Sequence, residues 1–244
     1  MARYLGIVSY DGSYFKGWAI QPNLATIQGL LEQSFSLIIG RKIKVIGSGR
    51  TDKGVHAINQ TFHVDINGEI NLNLLIRKIN QLIKPHCIVK TLVLVNDSFH
   101  ARFQVKTKVY EYLINCGNLN PLQFNYVWQL NQQLDLEKLK ADATLFLGKK
   151  NFLSFSSSIH TDSIRTISKI TIQKETNQLV RLTFFGSGFL RSQVRMIVAC
   201  LVNLNTNKMA LETVAKLFEH PKKGSCVVKA PSCGLYLKTV VYEK

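Results

Sequence analysis

The chain has 244 residues, 46% of them hydrophobic and 19% charged, which excludes a disordered polymer and allows one large or two small domains with real cores. Lysine and arginine number 31 against 15 acidic residues, a net charge of +16. That excess favours a polyanionic partner, and no stretch pairs a basic face with an aromatic one as a membrane-surface helix would.

Tyr4 to Tyr10 alternates as a strand. A glycine-punctuated loop follows, Asp11-Gly12-Ser13-Tyr14-Phe15-Lys16-Gly17-Trp18. Its interleaved aromatic and basic residues suit RNA bases and phosphates, or else the aromatics bury in the protein's own core. Ile27, Leu30, Leu31, Phe35 and Ile38 carry helical spacing, so the pattern predicts a helix from about Ala25 to Ile39. Strands are expected at Ile43–Ile46, Thr61–Ile66 and Ile88–Val95. Between the last two lies a helix through Leu72, Leu75, Ile76, Ile79 and Ile83, capped by Asn71 and ended by Pro85.

The second half opens with a strand over Thr107–Asn115 and a short one at Val127–Gln129. A helix capped by Asp135 runs through Leu136, Leu139, Ala143, Phe146 and Leu147. A long serine-rich loop is expected from Gly148 to Ser163, then a hairpin of Ile164–Gln173 and Leu179–Phe185. Helices over Phe189–Asn203 and Leu211–Phe218 precede a closing strand, Leu235–Tyr242. In the first half the order is strand, helix, strand, strand, helix, strand. The second repeats it once the additions are removed. The expected fold is therefore α+β: two ferredoxin-like, split βαβ (RRM-like) halves, 1–103 and 104–244, with antiparallel sheets packed together around a central basic cleft.

Five cysteines without a Cys-x-x-Cys pair argue against zinc and disulfide frameworks and fit a reducing cytoplasm. Six histidines, His56, His63, His86, His100, His160 and His220, show no metal-ligand spacing. No signal-peptide pattern opens the chain and no apolar run reaches membrane-spanning length.

The densest chemistry lies in Gly47-Ser48-Gly49-Arg50-Thr51-Asp52-Lys53-Gly54-Val55-His56-Ala57. Carboxylates are scarce in this chain, and here Asp52 stands among glycines and cations that favour its ionised form. A dinucleotide fingerprint would need glycine at Asp52, and a P-loop would need Gly-Lys-Ser/Thr. An aspartyl-phosphate site would carry Lys-Thr-Gly-Thr after the aspartate. A plain tight turn, with Gly54 at positive φ, remains the structural alternative.

Gly49 to Ala57 resembles the catalytic loop of the tRNA pseudouridine synthase A family at eight of nine positions. The resemblance extends to Tyr10–Trp18, to Phe99–Phe103, to Tyr110 and Tyr112, and to Asn151–Phe155. It continues through Ser163–Thr166, Phe189–Arg195 and Ala230–Leu237. Ala19 and Gln193 depart from it, standing where the family usually has Gln and Met. The resemblance implies a cytoplasmic homodimer that converts uridine to pseudouridine at positions 38 to 40 of the tRNA anticodon arm. No cofactor, metal, nucleotide or membrane is implied. Asp52 would be the nucleophile and Arg195 its partner, with Tyr110 stacked on the target base. Arg50 would fill the space left by the flipped base or hold a phosphate. Arg191 and Arg195, four apart near a helix start, are expected on one face. His56 is expected to be structural or RNA-facing. Three rivals remain: a non-catalytic RNA-binding module of split βαβ type, an aspartyl-phosphate enzyme needing a phosphate-ester substrate and Mg²⁺, and a pseudouridine synthase with other RNA targets.

Overall fold

The computed structural model describes residues 1–68, 70–159 and 161–243; His160 lies outside them. The fold is mixed α+β, with mostly antiparallel strand pairing. Two compact units form: Met1–Lys106 together with the stretch from Tyr236 onward, and Thr107–Leu235.

In the first unit β1 (Ala2–Tyr10) lies between β3 (His56–Ile66) and β4 (Cys87–Val95), antiparallel to both. Strand β2 (Val45–Gly47) pairs with the end of β3. Alternation buries Tyr4, Val8 and Tyr10 of β1 on one face. Helix α1 (Ile27–Ile39) starts where the Thr26 side chain accepts the Gly29 amide, and it stops at Gly40 in the left-handed conformation. Its Ile27, Leu31 and Phe35 are fully buried. Helix α2 (Leu72–Ile83) is capped by Asn71, as expected, and buries Leu75, Ile79 and Ile83 at four-residue spacing.

Strand β3 begins five residues earlier than the apolar alternation suggests. Its added portion holds Gln60, which is buried with both ends of its amide bonded: Oε1 accepts from Ser48 Oγ at 2.7 Å and Nε2 donates to the Gly49 carbonyl at 2.9 Å. The closing strand β10 (Leu235–Tyr242), expected with the second half, pairs parallel with the start of β3 through Tyr236–His56 and Leu237–Ala57. Its Tyr242 hydroxyl donates to the Ala101 carbonyl at 2.7 Å and lies 2.6 Å from Thr61 Oγ1.

The second unit carries strands in the order β5 (Val105–Asn115), β9 (Leu179–Gly186), β8 (Ile164–Lys174), β7 (Gly148–Asn151), with β6 (Trp128–Gln129) parallel on β5. Strand β7 stands inside the expected loop; Gly-Lys-Lys-Asn has no apolar alternation to announce it. The rest of that segment is anchored by Phe152 and Phe155, buried in a cluster with Phe146 and Phe218 at centroid distances of 5.0–6.1 Å. Helix α3 (Leu136–Ala143) takes its cap from Asp135.

Helix α4 (Gln193–Asn205) begins four residues later than its apolar stripe suggests. Ser192 adopts φ +65, a left-handed conformation that cannot continue a helix. Arg191 therefore lies in the preceding turn and does not share a helical face with Arg195. Gln193 keeps the helix start in order, its Oε1 accepting the Leu190 amide at 2.7 Å. Its Nε2 is buried with no hydrogen-bond partner among the described residues, at a cost on the order of 1–3 kcal/mol. Helix α5 (Leu211–Glu219) follows.

His63 on β3 gives the first unit an acid limit. The ring is buried and its Nδ1 accepts the Ala101 amide at 3.1 Å. Burial first, then the charges of Arg3 and His100, lower its pKa from 6.5 to about 4, with Asp65 opposing. The unfolded chain binds this proton more readily, so the contribution is complete above pH 6.5 and is lost as pH falls towards 4. Urea unfolding should weaken across that window by at most about 3 kcal/mol. A His63→Gln variant should flatten the slope there; an unchanged slope would assign the acid sensitivity elsewhere.

Candidate active site

The Asp52 loop leaves β2 and returns into β3, and both of its ends are fixed. The Ser48 amide donates to the Thr61 carbonyl at 2.8 Å, and Gln60 holds Ser48 and Gly49 as described. Thr51 is buried, its Oγ1 2.8 Å from the Tyr10 hydroxyl. Asp52, Lys53, Gly54 and Val55 then form a β-turn closed by the Val55 amide on the Asp52 carbonyl at 3.2 Å. Gly54 supplies φ +78 at the third position, where a side chain would be strained. The tight-turn reading is thus correct for the backbone, and the turn presents a half-buried Asp52 beside exposed Arg50 and Lys53.

The 11–18 loop is the turn's outer support. Trp18 and Phe15 are buried, so the aromatic loop is mainly scaffold; Tyr14 alone of its aromatics is exposed. The Trp18 amide donates to the Thr51 carbonyl at 3.1 Å, and its indole covers Gly47 so closely that a Cβ there would sit 2.5 Å from the ring. The Gly12 amide donates to His56 Nδ1 at 3.1 Å. His56 is itself buried and stacked on Tyr236 at 4.7 Å, which makes it structural rather than RNA-facing. Two loops far apart in sequence therefore fix the backbone that carries Asp52.

In the second unit Tyr110 on β5 is buried and meets Phe189 edge-to-face, with centroids 5.2 Å apart. Arg195, in the first turn of α4, is half-buried. Its Nε donates to the Ala230 carbonyl at 2.8 Å, while the Ala230 amide donates to the Arg195 carbonyl at 3.1 Å. This reciprocal pair sets the direction of the guanidinium. Neighbouring Tyr112 donates its hydroxyl to the Pro231 carbonyl at 2.7 Å. Burial raises the tyrosine's pKa well above 10 despite the nearby Arg195 charge, so it stays a neutral donor.

Sequence reasoning passed over Thr51, Gln60 and Ala230. Gln60 stands between Asn59 and Thr61, so no apolar alternation singles it out, and nothing local marked Ala230. All five cysteines are free thiols; Cys200 and Cys226 lie 3.5 Å apart, Sγ to Sγ. Among the described residues no group of three or more His, Cys, Asp or Glu is placed to hold a metal, and no helix is long and apolar enough to cross a membrane.

Comparison with known proteins bears on this geometry directly. The family model for tRNA pseudouridine synthase matches residues 7–104 and 143–243. A tRNA pseudouridine synthase A of Malacoplasma penetrans is 42% identical over 237 residues, covering 96% of this chain and 98% of its own. The protein of the same name from Mycoplasmoides gallisepticum is also 42% identical, with 97% and 89% covered. That of Limosilactobacillus reuteri is 36% identical, with 99% and 97% covered. The matched segments contain the Asp52 loop, its supporting loop, Tyr110's neighbour segment Phe99–Phe103 and the Arg195 helix, and on this evidence the chain belongs to the tRNA pseudouridine synthase family.

Proposed function

We propose that this protein isomerises uridine to pseudouridine in tRNA, at positions 38 to 40 of the anticodon arm, with Asp52 as the nucleophile. The observation that carries the reading is the Asp52 turn: the complete family motif, clamped on both sides, presenting one half-buried carboxylate. The reaction breaks the bond from ribose C1′ to uracil N1, turns the base, and joins C1′ to C5. The hydrogen on C5 then leaves as a proton, while N1 gains one. The uracil must leave its stack to meet a protein carboxylate. The family pattern assigns Arg195 to Asp52; a guanidinium fixed at Nε by Ala230 is suited to a bidentate hold on a carboxylate. Arg50, exposed on the same loop, fills the space left by the flipped base or holds a phosphate.

The protein acts in the cytoplasm as a homodimer without a cofactor. Its halves, 1–103 and 104–244, are split βαβ units. The order β4-β1-β3 with β2 beyond it supports this for the first, and β5-β9-β8 for the second. Tritium release from tRNA labelled at uracil C5, in the presence of EDTA, tests the activity. Release is expected, because joining C5 to C1′ must expel that hydrogen. Tight tRNA binding without release would instead favour a binding module. Mapping the product then tests the positions.

Tyr110 stacks on the target base and takes part in moving the C5 proton. Tyr110→Phe retains the ring against Phe189; it should bind tRNA normally yet turn over ~10²–10⁴-fold more slowly. Tyr110→Ala should in addition lose about 1–3 kcal/mol of RNA binding. A Phe variant with wild-type turnover would transfer the proton role to water or another group.

A further inference from the structure

We propose that Lys16 and Lys53 together form one phosphate site beside the Asp52 turn, occupied by an RNA backbone phosphate next to the reacting nucleotide. The inference rests on the tRNA reading above and extends it to a binding contact.

The two lysines come from different loops and leave the same point of backbone contact. A Cβ on Gly17 would lie 2.8 Å from the Thr51 carbonyl oxygen and 3.2 Å from the Lys53 nitrogen, so residues 16–18 lie directly on the turn. The backbone of Lys16 is fixed at both ends: its amide donates to the Ala25 carbonyl at 2.8 Å, and its carbonyl accepts from Gln21 Nε2 at 2.9 Å. Both side chains are exposed, and neither forms an ion pair with a carboxylate among the described residues. The Lys53 ammonium is near enough to lower the pKa of Lys16. Two ammonium groups so placed repel each other, and an anion between them turns that repulsion into two charge-assisted hydrogen bonds.

The neighbourhood favours RNA over a free anion. On the same loop Tyr14 is 56% exposed and stacks on His86, with ring centroids 3.4 Å apart. That leaves a flat aromatic surface on the loop two residues before Lys16, which suits a base or ribose following the phosphate. Free phosphate or an acidic protein would engage the lysines and leave this surface unused. The distance to chemistry is short, since Lys53 follows Asp52 directly.

The test is the salt dependence of tRNA affinity. Wild type, Lys16→Gln, Lys53→Gln, the double Gln variant and the double Arg variant are compared over a potassium chloride series. Each Gln variant should bind roughly 5–20-fold more weakly and lower the log–log salt slope by about one. The double Gln variant should lose little more than either single, because the two lysines share one phosphate. The Arg pair should restore both values. Lys42→Gln/Lys44→Gln, on an exposed stretch before β2, serves as the unrelated basic pair. An unchanged slope, or a double variant whose slope falls by about two with additive losses, would overturn the shared site. Competition by millimolar inorganic phosphate at constant ionic strength would reassign the site to free phosphate. Wild type failing to bind tRNA at all would overturn the underlying reading instead.

Discussion

Asp52→Asn is expected to abolish tritium release, lowering it at least ~10⁴-fold, or about 5.5 kcal/mol of transition-state stabilisation. The substitution replaces one oxygen by nitrogen and leaves the backbone turn intact, since the bond that closes it runs from the Val55 amide to the Asp52 main-chain carbonyl. What is lost is the charge and the nucleophilic lone pair. An amide neither attacks the sugar or base nor takes a proton at neutral pH. Affinity for tRNA should hold or rise slightly, because one negative charge disappears from a surface that already carries Arg50 and Lys53. Binding and release therefore separate the enzyme from a mere RNA-binding module. Release from the Asn variant within about tenfold of wild type would remove Asp52 from the chemistry, whatever the family pattern assigns.

The elements that were legible in the sequence are those whose signal is local. Helix α2 shows both its cap and its stripe, Asn71 and then Leu75, Ile79 and Ile83. The Asp52 loop was legible as a tight turn because its clustered glycines are visible in one dimension, while its chemistry is what the family resemblance implies. Its supports were not. Trp18 and Phe15 resemble RNA-facing aromatics until Gly47 and the Thr51 carbonyl are found beneath Trp18. The start of α4 was misplaced because apolar spacing continues through Phe189 and Leu190, while the break comes from one dihedral angle at Ser192. Strand β10 was assigned by chain order, although its parallel pairing with β3 depends on a partner nearly two hundred residues earlier. For Arg195, the family resemblance implies a carboxylate partner. The reciprocal hold on Ala230 that aims the side chain has no sequence signature.

The importance of that support predicts a second large effect, at a residue that carries no side chain. A Cβ on Gly12 would lie 2.0 Å from the Val55 carbonyl oxygen and 2.4 Å from its carbon. Both atoms are backbone, so no rotamer change relieves the clash. Either the 11–15 loop or the 52–55 turn must move by an ångström or more, and the Gly12–His56 bond is lost in either case. Gly12→Ala should therefore cost about 2–4 kcal/mol of stability in urea unfolding. Single-turnover tritium release should fall at least ~10²-fold even in the folded fraction, because a displaced turn no longer aims Asp52. Gly40→Ala is the matched control. Gly40 has φ +76 with nothing within 4 Å of the added Cβ, so the change strains a helix end and touches no site. It should cost about 1 kcal/mol and leave the rate of the folded protein unchanged. If both glycine variants lose stability while both keep the wild-type rate, the 11–18 loop contributes to folding alone. If only Gly12→Ala loses the rate, the loop's role is to hold the carboxylate in place, and the glycine is there because the Val55 carbonyl already fills the space a side chain would need.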